Sequence, residues 1–123
     1  MSLKVTSRER EPGVFIVSPA GSLDSNTYAI LEKRIDLILE GTPRLVVFDM
    51  ENLNYISSMG VRVIVKTQKA LKGHNGSIVL MNLQPQIKKV FEIINALPSQ
   101  QVFNSTDELD QYLDRMQRKV TEN

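Results

Sequence analysis

Two adjacent serines, Ser57 and Ser58, are the residues whose type and position best suit them for chemistry. They lie where an apolar β segment ending in Tyr55-Ile56 gives way to an amphipathic stretch that begins at Met59. The first N–H groups of a helix have no intrahelical acceptor, so a serine there can either cap them or carry a phosphate that they stabilise. We therefore expect the function to depend on Ser58, and both roles stay open at this point.

Nucleophilic catalysis by Ser58 is not supported by the rest of the sequence. A serine nucleophile needs a base within hydrogen-bonding distance. The only histidine, His74, is expected beyond the far end of the helix that Ser58 begins, about 20 Å away at a rise of 1.5 Å per residue. The sequence contains no cysteine and lacks the glycine patterns of hydrolase elbows, P-loops and dinucleotide sites. We predict a protein that is not an enzyme and that binds neither a metal nor another cofactor.

Composition and charge indicate one globular domain with an ordinary core. Of the 123 residues, 41% are hydrophobic and 24% are charged, and 15 basic side chains balance 14 acidic ones. A net charge of +1 supplies no strong field to hold a polyanion, so we expect no nucleic-acid partner. No apolar run has the length that a signal peptide or a membrane span needs. We expect a cytoplasmic protein that does not insert into membranes.

The pattern of apolar residues predicts an α/β fold. Strands and helices alternate after an opening hairpin, which favours parallel strands joined by right-handed crossovers. The predicted architecture is one domain with a mixed, mostly parallel sheet, an N-terminal antiparallel hairpin and about four helices. Its predicted elements are strands 4–10 and 14–17, a helix from Asp24 or Ser25 to about Leu39, strand 45–48, a connection over 49–54, helix 58–71, strand 77–81, helix 84–95, a short strand at Val102-Phe103 and a helix from Ser105 to about Arg118. We assign residues 1–118 to the domain and 119–123 to a polar tail.

Three finer predictions concern faces and caps. The second helix should bury an apolar stripe and expose a basic one, with Val61, Ile64, Val65 and Leu71 inside and Arg62, Lys66 and Lys69 outside. The apolar run 77–81 is predicted to be a buried strand. Ser105, followed three residues later by Glu108, is predicted to form a capping box at the start of the last helix.

The order of these elements and two short motifs resemble the STAS domain of bacterial anti-sigma factor antagonists. In that family a Gly-x-Leu-Asp pattern precedes the first helix, and Gly21-Ser22-Leu23-Asp24 matches it here. The pattern before the second helix is usually Asp-Ser-Ser/Thr-Gly-Leu-Gly. On this second pattern Ser58 falls on the phosphoacceptor, Gly60 on the first Gly and Val61 on the Leu, whereas Ser57 replaces the Asp, Met59 the second hydroxyl residue and Arg62 the second Gly.

The resemblance implies partner switching. The unmodified antagonist binds an anti-sigma factor that has a serine kinase fold, the kinase phosphorylates the serine, and a serine phosphatase restores the binding form. Ser58 is then the phosphorylation site, with Ser57 as the alternative, and the domain is a monomer or a weak dimer. The residues implied in partner binding are Asp24, Ser57, Met59, Gly60 and Arg62.

Several alternatives remain open from the sequence. Ser57 and Ser58 could only cap the helix, and Asp24 could face a partner or cap the first helix. The basic stripe that includes Arg62 could meet an acidic partner or be solvated, and Met59 could contact a partner or fold into the core. A different class of function is a STAS-type scaffold or ligand-sensing subunit of a transport or signalling complex, which is never phosphorylated. The replacement of the family Asp by Ser57 favours this second class.

Overall fold

Five strands and four helices make up the part of the chain that the structure, a computed structural model, describes: residues 2–96 and 105–122. In chain order they are β1 (Leu3–Glu11), β2 (Val14–Leu23), α1 (Tyr28–Leu39), β3 (Leu45–Asp49), β4 (Leu53–Ile56), α2 (Ser58–Lys72), β5 (Ser77–Met81), α3 (Pro85–Ala96) and α4 (Thr106–Thr121). The strand predicted at Val102-Phe103 lies outside the described residues.

The long strand β2 organises the sheet. Along one side it pairs antiparallel with β1, from Leu3 opposite Gly21 to Glu11 opposite Val14. On its other side two parallel strands follow one another, because β3 pairs with residues 14–17 of β2 and β4 pairs with residues 21–23. Strand β5 lies parallel to β3 and extends the sheet. The predicted fold class, a mixed and mostly parallel sheet with an antiparallel hairpin, is confirmed.

One face of the sheet packs on the helices. Val17, Val46 and Phe48 point to the same face in the strand register and are fully buried. They share one hydrophobic cluster with Leu31 of α1 and Ile64 of α2, so the apolar stripe of each helix covers the middle strands.

Two predictions about burial are wrong. Strand β5 is not buried, because Ser77 is exposed and Val79 is 45% exposed. The strand pairs with β3, and its residue Val79 lies on the opposite sheet face from Val46 and Phe48. Val65 is also exposed, whereas Val63 and Thr67 are buried in its place, because the buried arc of α2 runs on the other side of Ile64.

Several element boundaries differ from the predictions. Strand β4 begins at Leu53, inside the predicted connection. The N-cap of helix α1 is Thr27, two or three residues after the expected cap at Asp24 or Ser25, because a turn organised by Asp24 precedes the helix. Helix α4 continues to Thr121, past the expected end at Arg118. Its N-cap is as predicted, since the Glu108 N–H donates to Ser105 Oγ at 3.1 Å.

Candidate functional site

The site lies where the carboxyl ends of β2 and β4 meet the start of α2. Leu23 and Ile56 are paired at the ends of these strands, and the Ser57 N–H donates to the Leu23 carbonyl at 2.9 Å. Ser57 is the N-cap residue in an extended conformation, and the first helical hydrogen bond joins the Val61 N–H to the Ser57 carbonyl at 3.1 Å. The two serines are thus held at the junction of sheet and helix.

Gly60 lets the first turn of α2 approach the strand ends closely. A Cβ at this position would lie 2.7 Å from Leu23 Cγ and 2.8 Å from Ile56 Cγ1, which is far inside van der Waals contact. Gly60 is buried, so this packing gives it a structural role. Its predicted contact with a partner stays a prediction.

Neither serine hydroxyl caps the helix. Ser57 is 4% exposed, and its Oγ and the Ser58 Oγ are both buried without a hydrogen-bond partner among the described residues. The alternative that the serines serve only as caps is therefore wrong. The Ser58 Oγ is buried although the residue as a whole is half-buried. An unpaired buried hydroxyl costs roughly 1–3 kcal/mol, which calls for an explanation.

A carboxylate from the last helix provides the cap instead. The Ser58 N–H donates to Asp110 Oδ1 at 2.9 Å, and a negative charge at a helix start is favourable by about 0.3–1 kcal/mol. Asp110 was not predicted as a site residue, because it is 52 positions away along the chain and lies in an ordinary amphipathic helix. No local pattern indicates which α4 carboxylate reaches the start of α2.

Side-chain amides cover the free edge of β4. Gln117 of α4 is 2% exposed; its Oε1 accepts from the Ile56 N–H at 2.9 Å and its Nε2 donates to the Ile56 carbonyl at 2.8 Å. Gln86 of α3 donates to the Asn54 carbonyl at 3.1 Å. These glutamines were also missed, although a glutamine in register with the buried Leu113 on the apolar face of α4 is a usable signal.

Tyr55 stands in acidic surroundings beside the serines. Burial raises the pKa of Tyr55 to about 12, and the charge and hydrogen bond of Asp114 and the charges of Asp110 and Asp24 act in the same direction. The phenol is therefore neutral at physiological pH. The charges of Asp114, Asp110 and Asp24 thus all act on Tyr55, which lies two residues before Ser57.

Asp24 organises the turn before α1. Its Oδ1 accepts from the Asn26 N–H at 2.9 Å, the Thr27 N–H at 3.1 Å and the Thr27 hydroxyl at 3.2 Å. The alternative that Asp24 is the N-cap of the first helix is wrong, because the N-cap is Thr27 and Asp24 holds the turn before it. A contact between Asp24 and a partner stays a prediction.

The remaining predicted contact residues lie along the first turns of α2. Met59 is half-buried, and Arg62 is exposed on the predicted basic stripe with Lys66 and Lys69. Lys66 Nζ donates to Glu32 Oε2 at 3.3 Å. The structure thus brings Ser57, Ser58, Met59 and Gly60 together, and places Arg62 beside them on the solvent side.

The described residues contain no group of three or more His, Cys, Asp or Glu side chains arranged to hold a metal ion. In the same described ranges, no helix combines the length and apolar character that a membrane crossing requires.

Fold and site together define a class of protein: a small α/β domain whose distinctive feature is the pair of serines at the start of its second helix. The chain belongs to the STAS domain family, whose model matches residues 6–109. The resemblance found in the sequence is thus confirmed.

Its relatives include anti-sigma factor antagonists. BtrV of Bordetella bronchiseptica, a candidate anti-sigma factor antagonist, is 35% identical over 95 residues, which are 77% of this chain and 82% of BtrV. The anti-sigma F factor antagonist of Lysinibacillus sphaericus is 25% identical over 91 residues, 73% of this chain and 74% of the relative. The structure of unphosphorylated SpoIIAA, an anti-sigma factor antagonist, superposes with a TM-score of 0.64 at 20% identity over 73% of this chain and 83% of SpoIIAA. SpoIIAA of Bacillus has also been solved in a phosphorylated form.

Proposed function

We propose that this protein is an anti-sigma factor antagonist that binds an anti-sigma serine kinase and is released by phosphorylation of Ser58. The observation that carries the proposal is the position of Ser58 at the start of α2, where its N–H donates to the Asp110 carboxylate at 2.9 Å. The start of this helix therefore already holds one anion, as it would have to hold a phosphate. The relatives named as antagonists and the phosphorylated form of SpoIIAA support the same conclusion.

In the proposed reaction the kinase transfers the γ-phosphoryl group of ATP to Ser58 Oγ. A P–O bond to the serine forms as the bond to the ADP leaving group breaks, and the hydroxyl proton leaves. The product carries about two negative charges at neutral pH. The first N–H groups of α2 stabilise this anion, and a partner surface pressed against Ser58 is repelled by its charge and bulk. A serine phosphatase that hydrolyses the phosphate returns the protein to its binding form.

The proposed docking surface surrounds the start of α2. Met59 contributes a half-buried side chain to this surface and Arg62 an exposed one. Asp24 lies on the turn beside it. Ser57 is the alternative acceptor, although at 4% exposure it is less open than Ser58.

A second candidate function is a STAS scaffold or ligand-sensing subunit that is never phosphorylated. The burial of the Ser58 Oγ is the observation that favours it. In that case the surface around α2 binds a partner constitutively.

A titration with the serine kinase encoded nearest to the gene tests the proposal. Calorimetry should give a dissociation constant for Ser58→Asp at least about 30-fold above that of the unmodified protein, as expected for an added charge at the centre of an interface. Ser58→Asn, which has a similar size and no charge, is the matched control and should bind nearly as well as the wild type. Equal affinities of the Asp and Asn variants would refute charge-controlled release.

Phosphate-affinity electrophoresis with the same kinase and ATP identifies the acceptor. Ser58→Ala should abolish the shifted band, and Ser57→Ala should keep it. A kinase that binds the protein tightly but modifies neither serine supports the scaffold function.

A further inference from the structure

We propose that the outer edge of β1 is a second docking surface, which binds an extended segment of a partner protein in which acidic residues alternate with apolar ones. The segment pairs with the backbone of β1 and so extends the sheet by one strand. This surface is separate from the one proposed around the start of α2, because β1 and β4 pair along opposite sides of β2. Docking at this edge requires neither a kinase nor modification of Ser58.

The backbone of β1 alternates between groups that face β2 and groups that face outward. The Ser22 N–H donates to the Ser2 carbonyl at 3.0 Å, and in an antiparallel ladder such hydrogen-bonded pairs alternate with pairs whose backbone groups point away from the partner strand. The outward N–H and carbonyl groups therefore belong to residues 3, 5, 7 and 9. Pro19, which has no N–H, lies opposite Val5 and fits this alternation. Among the described strands only β2 pairs with β1, so its outer edge is open there.

Helix α1 places apolar side chains beside this open edge. Arg34 of α1 donates to Ser7 Oγ at 3.0 Å and to the Val5 carbonyl at 3.4 Å, so the side of α1 that carries Arg34 faces the edge. Ile30 and Leu37 lie about one turn to either side on the same side of the helix, and they are 47% and 64% exposed. A strand added to β1 would therefore meet apolar side chains on the face that it turns toward α1.

The other face of β1 is cationic, and its charge indicates which segment fits. Lys4 and Arg8 are exposed on this face and form no ion pair among the described residues. The acidic side chains of β1 are already bound, because Glu9 accepts from a backbone N–H of the hairpin turn at 3.1 Å and Glu11 pairs with Arg44 at 2.9 Å. Opposite charges on neighbouring strands stabilise a sheet, so the segment that fits carries acidic residues on this face.

The same charges argue against a second copy of this chain as the occupant. In an antiparallel pairing of two β1 strands centred on Thr6, Lys4 would lie opposite Arg8 of the second copy. Like charges directly opposite one another destabilise a sheet, and cationic side chains on an edge strand are a common protection against self-pairing. A segment with alternating acidic residues meets both cations with opposite charge, and its apolar side chains meet Ile30 and Leu37.

A synthetic peptide as long as β1, nine residues, in which Glu alternates with Val, is the probe for this surface. In nuclear magnetic resonance spectra of the isotope-labelled protein it should shift the amide signals of Leu3, Val5 and Ser7 until they saturate. A matched peptide with Lys in place of Glu should bind at least about tenfold more weakly. Unshifted signals from β1, or equal binding of the two peptides, would overturn the proposal.

Two charge variants test the cationic face. Arg8→Glu replaces an attractive cross-strand pair by a repulsive one and should weaken binding of the acidic peptide about fivefold. Lys88→Glu, the same charge change at an exposed residue of α3, should change the binding by less than about twofold. Equal effects of the two variants would show that only the net charge matters and would overturn the surface on β1.

A proline variant tests whether the backbone of β1 forms the pairing. Ser7→Pro removes an N–H that points outward and keeps the hydrogen bonds to β2, so it should weaken binding of the acidic peptide at least about tenfold. Circular dichroism establishes that the variant is folded, and undiminished binding to the folded variant would overturn strand addition. The wild type should sediment as a monomer; a dimer that Ser7→Pro dissociates would identify a second copy as the occupant and overturn the acidic partner.

Discussion

Replacing Gly60 by alanine tests whether the start of α2 is positioned by close packing on the strand ends. The new Cβ would lie 2.7 Å from Leu23 Cγ, 2.8 Å from Ile56 Cγ1 and 3.0 Å from Leu23 Cδ2. Ordinary carbon contacts are about 3.5–4.0 Å, so these side chains or the helix must shift by several tenths of an ångström. Overpacking of this kind costs about 1–3 kcal/mol.

Urea unfolding followed by circular dichroism measures this cost. With a typical slope of about 2 kcal/mol per molar urea, a loss of 2 kcal/mol lowers the midpoint by about 1 M. Gly41→Ala is the matched control, because its Cβ would meet only the Ile38 carbonyl oxygen, at an ordinary 3.6 Å. The control should be neutral or stabilised by up to about 1 kcal/mol, since alanine restricts the unfolded chain.

The two variants separate packing from a general effect of adding a methyl group. If Gly60→Ala unfolds at the same urea concentration as Gly41→Ala, the close approach of α2 to the strand ends is not a constraint on the fold.

Two further predictions concern the neighbours of the serines. The pKa of Tyr55 is raised from 10.0 to about 12, so the unfolded chain loses this proton first, and the free energy of unfolding should fall as the pH rises through this interval. The full shift corresponds to about 2.7 kcal/mol, which we reduce to about 1 kcal/mol because Tyr55 is only partly buried. Urea unfolding at pH 9 and pH 11 should show a smaller loss of unfolding free energy for Tyr55→Phe than for the wild type. Equal losses for the two proteins would contradict this assignment. Gln117→Ala leaves both backbone groups of Ile56 without their partner and should lower the free energy of unfolding by about 2 kcal/mol. The control Gln111→Ala, at an exposed residue of the same helix, should change the free energy of unfolding by less than about 0.5 kcal/mol. A similarly small effect of Gln117→Ala would show that water replaces the amide.

The sequence predicts the fold because its signals are local and agree with one another. The apolar run of β3, the capping box at Ser105 and the amphipathic stripe of α2 each indicate one element, and the alternation of strands and helices indicates the parallel sheet. The errors arise where burial depends on the assembled sheet. A run such as 77–81 has the same apolar pattern in a central strand and at the margin of a sheet, and only the register distinguishes the two.

Only the site residues that lie on α2 are predictable from the sequence. Ser58 and Gly60 are two positions apart in the sequence, and their motif is visible there. Asp110 and Gln117 reach the same place from α4, across more than 50 positions, and their side-chain contacts follow from how α4 packs rather than from any local pattern.

The glutamine side chains of α3 and α4 that pair with the backbone of β4 have a consequence for how a partner can bind. The unpaired backbone groups of an exposed edge strand can bind a strand of another chain, and this pairing occurs both in specific complexes and in aggregates. Here the outward carbonyls of Asn54 and Ile56 and the Ile56 N–H are already occupied by carboxamides. A partner that approaches this edge of β4 finds these three backbone groups already paired, so its selectivity has to come mainly from the shapes and charges of side chains.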